Sequence, residues 1–340
     1  MEMHHAIAQD CLALGCTTQL QSQPLRGGLE SAVTRVFVRP AAPSKALPRS
    51  VVVKELLGPR RREADVYQLL WSALPRPPAA RMHGRRDTPA GAFLCLEDVR
   101  SVGAWPWRDF AAALEVCQTM ARIHRAELPC DALPPWDYET HLRKSAQETL
   151  ALARSVVTAA GVPVWPQPGG LARVVAALPR MRERLRGGGV ALIHGDVHPG
   201  NVLVRAAAGA DRVVLIDWAA SRVGSPLEDL ASWLHSLGCW EAEARRRHDT
   251  LLSAYLRASG APGGIGADLR ARYWMASACN GLAGAIRFHI AVLGDVASGA
   301  RARKASQRAL DEWRRAIRRA DAVLRHDAGA ARRGGRAPRR

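Results

Sequence analysis

The sequence predicts an α+β fold of two lobes, a small β-rich N-terminal lobe and a large, mainly helical C-terminal lobe. Short β-branched segments, separated by Gly and Pro clusters, fill roughly the first hundred residues. Long alanine- and leucine-rich segments with helical spacing fill most of the remainder, interrupted by one strand-rich interval at 190–217. The 340 residues are 48% hydrophobic and 24% charged, which is enough apolar material for a large core.

The N-terminal lobe is expected to span 1–98. A Gly27-Gly28 pair joins its first two strands, and a linker at about 94–99 leads into the second lobe. The predicted elements are a short helix (4–16), strands at Thr18–Leu25, Ser31–Val38 and Ser50–Lys54, a helix at 60–72 and a strand at Ala92–Leu96.

The C-terminal lobe is expected to span 99–327. Its predicted helices are 108–126, 138–160, 170–186, 226–238, 241–259 and 267–295. The remaining 328–340 ends in ARRGGRAPRR, which lacks an apolar face and predicts a disordered basic tail. Fourteen Lys/Arg against four Asp/Glu in 301–340 supply +10 of the net +18 charge. A charge concentrated at the C-terminus does not favour a nucleic-acid-binding protein.

The cysteines and the apolar segments indicate the cellular compartment in which the protein is expected. Seven cysteines without metal-ligand spacing predict buried free thiols in a reducing compartment. The N-terminus has neither the basic start nor the apolar core of a signal peptide. Asn280, Arg287 and His289 interrupt the apolar stretch Met275–Gly294, which predicts a buried helix rather than a membrane span. We expect a cytoplasmic protein without a membrane partner.

A predicted hairpin places two oxygen ligands side by side. Its strands, 201–204 and 212–217, are apolar and β-branched, and Gly209 lies in the turn between them. With Gly209 at the centre, the register pairs Asn201 with Asp217, and opposite residues have Cβ atoms about 4.5–5.5 Å apart. Carboxylate and amide oxygens at that separation suit Mg²⁺ bound together with phosphates.

The loop before this hairpin, HGDVHPGN, presents one acid, Asp196. Such an acid can accept the proton of a substrate hydroxyl, or orient it, for attack on phosphorus. Pro199 and the flanking glycines suit a sharp backbone path. His194 and His198 are expected to order the loop, although for His198 direct contact with substrate or phosphate is an equal alternative. The residue set predicts phosphoryl transfer from a nucleoside triphosphate to a hydroxyl group.

HGDVHPGNVLV followed by VVLIDWAASRVGSPLEDLA resembles the aminoglycoside phosphotransferase family, which shares the protein-kinase-like fold and includes choline, homoserine, fructosamine and macrolide kinases. The resemblance implies that Asp196 is the catalytic base. It also implies that Asn201 and Asp217 bind Mg²⁺, with ATP or GTP as phosphate donor, and that Asp229 braces the loop. Ala219 and Ser225 stand where acids are common in the family.

The N-terminal half resembles the same family more weakly. LRGGLESAVTRV is similar to its glycine-containing loop over the phosphates, VVVK places a lysine at a strand end, and READVYQLL offers an ion-pair partner on a helix. FLCLEDV is similar to the linker that binds the adenine edge. The residues implied to bind nucleotide are Gly27, Gly28, Ser31, Lys54, Glu63, Glu97 and His198.

The phosphate acceptor is predicted to be a small molecule rather than a protein. Asp229 lies only twelve positions after Asp217, and DFG and APE are absent, so little room exists for a peptide-binding activation segment. Residues 225–300 contain seven acids and seven arginines, which is not the acid-rich surface expected for a polycationic aminoglycoside. Tryptophans offer an aromatic alternative, suited to a sugar face or a quaternary ammonium; they are Trp218, Trp233, Trp240 and Trp274.

Three functional hypotheses follow. The first is a kinase of an aminoglycoside or other antibiotic, and the second a kinase of a small metabolite of the choline, homoserine or sugar type. The third is a catalytically silent nucleotide-binding regulator, which the intact set of Lys54, Asp196, Asn201 and Asp217 disfavours.

Overall fold

A computed structural model describes residues 2–15, 17–25, 32–40, 47–158, 160–206, 212–261 and 264–334. Its N-terminal part is a five-stranded antiparallel sheet with the strand order β1-β2-β3-β5-β4. The strands are β1 Gln19–Pro24, β2 Val33–Arg39, β3 Ser50–Leu57, β4 Met82–Thr88 and β5 Gly91–Glu97. Two helices accompany the sheet, α1 Glu2–Leu12 and α2 Arg62–Ala73.

The two faces of β3 serve different purposes because strand side chains alternate in direction. Val51 and Val53 are fully buried and pack in a small core that includes Ile7 of α1. Lys54 belongs to the opposite face, which looks toward a cavity. The strand was predicted to end at this lysine, but it continues three residues further, so Lys54 lies within the strand.

The C-terminal part is built mainly from helices. They are α3 Phe110–Arg125, α4 Tyr138–Ser155, α5 Gly169–Ala176, α6 Leu178–Arg186, α7 Pro226–Gly238, α8 Ala242–Arg246, α9 His248–Ser259, α10 Ala267–Asn280, α11 Ile286–Gly294 and α12 Ala300–Gly334. Three predicted helices are each divided in two. Pro179 starts α6 separately from α5, Arg247 separates α8 from α9, and a π-helical turn, Gly281–Ala285, separates α10 from α11.

The longest helix, α12, was not among the predicted segments. Leu310, Trp313, Ile317 and Leu324 are buried along one side of it, at the spacing of a single helix face. The helix continues through Gly334, so the prediction of a disordered tail is wrong for 328–334, and 335–340 lie outside the described residues. An alanine-rich segment extends an existing helix without a new nucleation cost, which outweighs its lack of an apolar face.

Four short strands carry the loops of the central region. They are β6 Ala191–Ile193, β7 Val202–Val204, β8 Val213–Leu215 and β9 Arg222–Gly224. β7 and β8 form the expected antiparallel hairpin, but Asn201 stands opposite Ile216, whose N–H donates to the Asn201 carbonyl at 3.0 Å. The predicted pairing of Asn201 with Asp217 is therefore wrong by one residue. Eight residues separate the strands, so no single residue is central, and Gly209 itself lies outside the described part.

One helical stretch, Ala267–Gly294, is long and apolar enough to cross a membrane by length and composition alone, and half of its most apolar window is buried inside the protein. The six cysteines within the described ranges are all free thiols.

Candidate active site

A buried lysine joins the N-terminal sheet to the central hairpin. The Lys54 ammonium contacts both carboxylate oxygens of Glu63 on α2, at 2.8 and 2.7 Å, and one oxygen of Asp217 at 2.7 Å. Burial by itself would lower the pKa of Lys54, but the two carboxylates outweigh it and raise that pKa above its ordinary value. The same ammonium holds the pKa of Asp217 below its usual range, against the effect of burial. The lysine is therefore fixed and charged at neutral pH.

These residues line a cavity of about 320 Å³ beneath the sheet. Apolar side chains form much of its wall; they are Leu25, Val33, Val52, Ala80, Leu96, Val99, Leu203 and Ile216. Asn201 and Asp217 lie at the end of the cavity that the hairpin supplies. An apolar slot with a fixed cation and a carboxylate at one end has the makeup of a nucleotide site.

Glu97, the last residue of β5, and Asp98, the first residue after it, also border this cavity. A Glu97 side-chain oxygen accepts hydrogen bonds from the Arg81 backbone N–H at 3.1 Å and from the Arg205 guanidinium at 2.5 Å. Asp98 accepts from Arg35 at 2.9 and 3.0 Å and from the Ser50 hydroxyl at 2.6 Å. Both carboxylates thus fasten the linker to its neighbours.

Asp217 departs from the strand conformation. Its backbone is left-handed, with φ +63°, an uncommon state for a residue other than glycine. This turn redirects the chain after β8 and brings the carboxylate to Lys54 despite the shifted register. Asn201 and Asp217 consequently line the same cavity without being opposite each other in the ladder.

The donor set fits Mg²⁺ bound together with phosphates. Within the described ranges, no cluster of three or more His, Cys, Asp and Glu side chains could hold a metal by itself. Mg²⁺ is commonly held by one or two protein oxygens and completed by substrate phosphates. The Asn201 amide nitrogen donates to the Asp196 carbonyl at 3.0 Å and to its carboxylate at 3.1 Å, which leaves the amide oxygen as the atom able to ligate.

Asp196 occupies the loop between β6 and β7. Its side chain is 52% exposed, and His198 Nε2 lies 3.7 Å from its carboxylate. His198 Nδ1 accepts a hydrogen bond from the Gly200 N–H at 3.0 Å, so this histidine orders the loop locally. Asp196 is thus held by Asn201 while remaining open to a ligand.

A buried carboxylate on α7 braces the loop, as the resemblance implied. The backbone N–H groups of His194 and Gly195 each donate to Asp229 at 2.7 Å, and His124 Nε2 lies 3.0 Å from the same side chain. Burial raises the pKa of Asp229, but these contacts outweigh it and hold that pKa below its usual range. The sequence did not single out His124, because nothing in its local sequence on α3 distinguishes it from a histidine on any other helix.

The loop also depends on two local features. Gly195 has φ +84°, and a Cβ there would lie 2.2 Å from the Ala220 carbonyl oxygen, so only glycine fits. His194 Nε2 contacts the Ile216 carbonyl at 2.9 Å, which requires it to donate, and Nδ1 accepts from the Asp196 N–H at 3.3 Å. Burial lowers the pKa of His194, consistent with this neutral form.

A second and larger cavity, of about 810 Å³, opens beside Asp196. Gly200 lines both cavities, so they meet at the loop that carries Asp196. Of the four tryptophans expected to offer an aromatic surface, Trp240 lines this cavity, whereas Trp218, Trp233 and Trp274 are buried. Further aromatic lining comes from residues that the sequence did not single out, namely Trp105, Trp136, Tyr138, Phe288 and Trp313.

The predicted site residues thus fall into three groups. Lys54, Glu63, Glu97, Asn201 and Asp217 border the smaller cavity. Asp196 and His198 border the larger one, so His198 is not placed among the nucleotide-side residues. The members of the predicted glycine-containing loop, Gly27, Gly28 and Ser31, lie outside the described residues. Of the two departures from the family pattern, Ser225 precedes α7 as its N-cap and Ala219 lies in a short 3₁₀ turn after Asp217.

Three solved structures with a similar fold are named as small-molecule kinases or phosphotransferases. A choline/ethanolamine kinase family protein from Mesorhizobium loti is 17% identical and has a TM-score of 0.59, with 96% of this chain and 100% of that chain covered. A choline kinase from Cryptosporidium parvum is 11% identical with a TM-score of 0.60, covering 95% and 97%. An aminoglycoside phosphotransferase from Streptomyces rimosus is 19% identical with a TM-score of 0.52, covering 82% and 98%. These likenesses confirm the predicted two-lobed α+β fold.

Among curated protein sequences, none matches the chain significantly. The model of the phosphotransferase enzyme family matches residues 35–274, which is more than two thirds of the chain and includes Lys54, the Asp196 loop and Asp217. The chain therefore belongs to the phosphotransferase enzyme family and is a phosphotransferase with a two-lobed, protein-kinase-like fold.

Proposed function

We propose that the protein transfers the γ-phosphate of ATP or GTP to a hydroxyl group of a small molecule, in a reaction that requires Mg²⁺. The observation that carries this proposal is the meeting of two cavities at one loop. The smaller cavity holds Lys54, Asn201 and Asp217, and the larger cavity is open beside Asp196. A donor and an acceptor bound in the two cavities would be brought together at Asp196.

The smaller cavity is suited to a nucleoside triphosphate. The Lys54 ammonium, positioned by Glu63, would neutralise phosphate charge at the cavity end, and the apolar wall would receive the base. Asn201 and Asp217 would hold Mg²⁺, which supplies charge neutralisation for the transferred group when bound. Lys54 already contacts Asp217, so the cation and the metal-binding acid occupy one end of the same site.

Asp196 is suited to the acceptor hydroxyl. Its carboxylate would accept the hydroxyl proton as the oxygen forms its bond to the γ-phosphorus and the bond to the β-phosphate oxygen breaks, leaving the nucleoside diphosphate. The Asn201 amide fixes the carboxylate, and Asp229 fixes the backbone of the loop. This arrangement supports an active enzyme over a catalytically silent regulator, since each group is positioned for a step.

The remaining nucleotide contacts are proposed by resemblance. Gly27, Gly28 and Ser31 would cover the phosphates, and the linker at Glu97 would meet the adenine edge through its backbone. His198 would act on the acceptor side, where it lies near Asp196. The free cysteines support a reducing compartment, the cytoplasm, and we propose neither a membrane nor a nucleic-acid partner.

Asp196→Asn tests the proposed role of the acid. With saturating ATP and Mg²⁺ and a panel of aminoglycosides, macrolides, choline, homoserine and sugars, the variant should lose about 10²–10⁴-fold in kcat for any acceptor that the wild type phosphorylates. The dissociation constant for ATP should stay unchanged, because Asp196 borders the other cavity. Asp131→Asn, at an exposed site, is the matched control.

Two results would contradict the proposal. If Asp196→Asn turned over at nearly the wild-type rate, Asp196 would have no catalytic role. ATP binding by the wild type, without transfer to any member of the panel or to neutral apolar alcohols added to it, would favour the silent regulator.

A further inference from the structure

The cavity beside Asp196 is strongly aromatic and partly open. Trp136, Trp240 and Phe288 expose 36%, 48% and 52% of their surface, yet all three line this one cavity. Large aromatic side chains left open to solvent are unfavourable unless a ligand or partner covers them. Their convergence on a single concave site indicates that the bound ligand has an apolar body.

The charge of the cavity wall is balanced. Among the described residues that line it, Asp196 supplies the one carboxylate and Arg222 the one guanidinium, beside the imidazoles of His141, His198 and His289. Arg222 is itself paired with Glu228 at 2.5 Å and lies over the Tyr138 ring, 3.5 Å from its centroid. A polycation would need several converging carboxylates, and this wall offers one beside a buried cation.

A further acid lies near the rim but is already engaged. Glu241 accepts a hydrogen bond from the indole N–H of Trp105, and it is not among the cavity-lining residues. Glu241→Gln removes this charge but keeps an oxygen that can accept the Trp105 hydrogen bond, so the substitution can distinguish a cationic ligand from a neutral one.

The cavity is large because one wall is built from small residues. The π-helical turn between α10 and α11 contributes Ala283, Gly284 and Ala285, and a Cβ at Gly284 would meet no atom within 4 Å. The resulting 810 Å³ lies in the upper part of the range for drug-sized ligands, about 300–1,000 Å³. A molecule of choline size would leave most of this space and most of the aromatic surface uncovered.

We propose that the phosphate acceptor is a neutral, bulky and mainly apolar alcohol, bound with its hydrophobic body against Trp136, Trp240 and Phe288 and its hydroxyl toward Asp196. This inference rests on the proposed phosphotransfer and adds to it the class of acceptor. It separates the protein from the solved kinases named for choline, ethanolamine or aminoglycosides, because those compounds are cationic.

The first experiment measures KM for alcohols of increasing apolar area. Benzyl alcohol, naphthalenemethanol and a steroidal alcohol are compared with choline and kanamycin at fixed ATP and Mg²⁺. Each additional buried methylene equivalent should lower KM roughly fourfold until the cavity is filled. A preference for choline or kanamycin over every neutral alcohol would overturn the proposal.

The second experiment removes single side chains. Trp240→Ala and Phe288→Ala should each raise KM for the best neutral alcohol by about tenfold or more, with the dissociation constant for ATP unchanged. Val296→Ala is the matched control, since Val296 is 78% exposed and does not line the cavity. Glu241→Gln should leave the KM for the neutral alcohol unchanged. A large rise in the KM for choline or kanamycin in Glu241→Gln, together with little effect of Phe288→Ala on any KM, would instead indicate a cationic acceptor.

Direct binding separates the failure of this inference from that of the proposed function. Calorimetric titration of the neutral alcohols into wild type and Phe288→Ala requires no turnover. Saturable binding of a neutral alcohol that is weakened by Phe288→Ala would support the acceptor class even if no phosphate were transferred. In that case the proposed reaction, and not the acceptor class, would be wrong. Phosphorylation of cations without any binding of neutral alcohols would confirm the reaction and overturn the acceptor class.

Discussion

Asp229 illustrates how a single buried residue controls a site that it does not enter. It lies in the first turn of α7, where the helix dipole favours a negative charge. From there it accepts hydrogen bonds from the backbone of His194 and Gly195, and His124 reaches it from α3. The backbone leading to Asp196 is thereby tied to two helices at once, so the carboxylate of Asp196 is held ready without being buried.

Asp229→Asn should lower the free energy of unfolding at pH 7 by about 2–4 kcal/mol, because the amide supplies only one acceptor oxygen and turns its NH₂ toward N–H donors. The pKa of Asp229 in the folded protein lies below its usual value of 3.8, so the stabilisation is present above that pH. It is lost as the pH falls through the folded-state pKa.

Urea denaturation from pH 7 to pH 3 measures this effect. The difference in the free energy of unfolding between wild type and Asp229→Asn should become smaller below about pH 4. Asp311→Asn, at a mostly exposed position on α12, is the matched control. A difference that did not depend on pH would show that shape, rather than charge, accounts for the loss.

At the scale of elements, α12 completes the helical lobe. Its buried side packs against α5, α10 and α11, and Arg173 binds Asp321 through two contacts of 2.7 and 2.8 Å. The same helix contributes Ala309 and Trp313 to the wall of the larger cavity. Its described buried residues end at Leu324, before the basic C-terminal residues.

Deletion of 328–340 should therefore leave kcat and both KM values unchanged and cost less than about 1 kcal/mol of stability. A second truncation after Arg308 removes Leu310, Trp313, Ile317 and Leu324 and should prevent folding. Circular dichroism melts and turnover measured on both truncations check this. A large loss of activity from the shorter deletion would assign the basic tail a role in catalysis or substrate binding.

At the scale of the whole molecule, the smaller cavity is assembled from both lobes. Lys54 and Glu97 come from the N-terminal sheet, whereas Asn201 and Asp217 come from the hairpin in the helical lobe. A nucleotide bound there would contact both lobes, so its binding energy would stabilise their mutual arrangement. Mg²⁺ bound by Asn201 and Asp217 would add to this stabilisation.

ATP with Mg²⁺, at about 100 times its dissociation constant, should raise the free energy of unfolding by about 2.7 kcal/mol. EDTA should remove the Mg²⁺-dependent part of that increase. Asp217→Asn should make the increase insensitive to EDTA, with Asp87→Asn, a half-exposed surface acid, as the matched control. Differential scanning fluorimetry reports both changes. An EDTA-sensitive increase that persisted in Asp217→Asn would place the metal elsewhere.

The sequence by itself determined the two-lobed fold class and the phosphotransferase family, and it singled out Lys54, Asp196, Asn201 and Asp217, which line the two adjoining cavities. These depend on local patterns, because hydrophobic periodicity reveals which face of an element is buried and a short loop keeps its polar groups together. The pairing of Lys54 with Glu63 was implied by the family resemblance, and the structure joins them at 2.7 Å.

The tertiary structure alone decided the rest. The one-residue shift in the hairpin is seen in the register of β7 and β8, and the left-handed Asp217 compensates for it. The contact between His124 and Asp229, and the cavity wall assembled from residues between Trp105 and Trp313, join positions far apart in the chain. Periodicity shows that a side is buried but not which partner covers it, so contacts between distant elements emerge only when those elements pack.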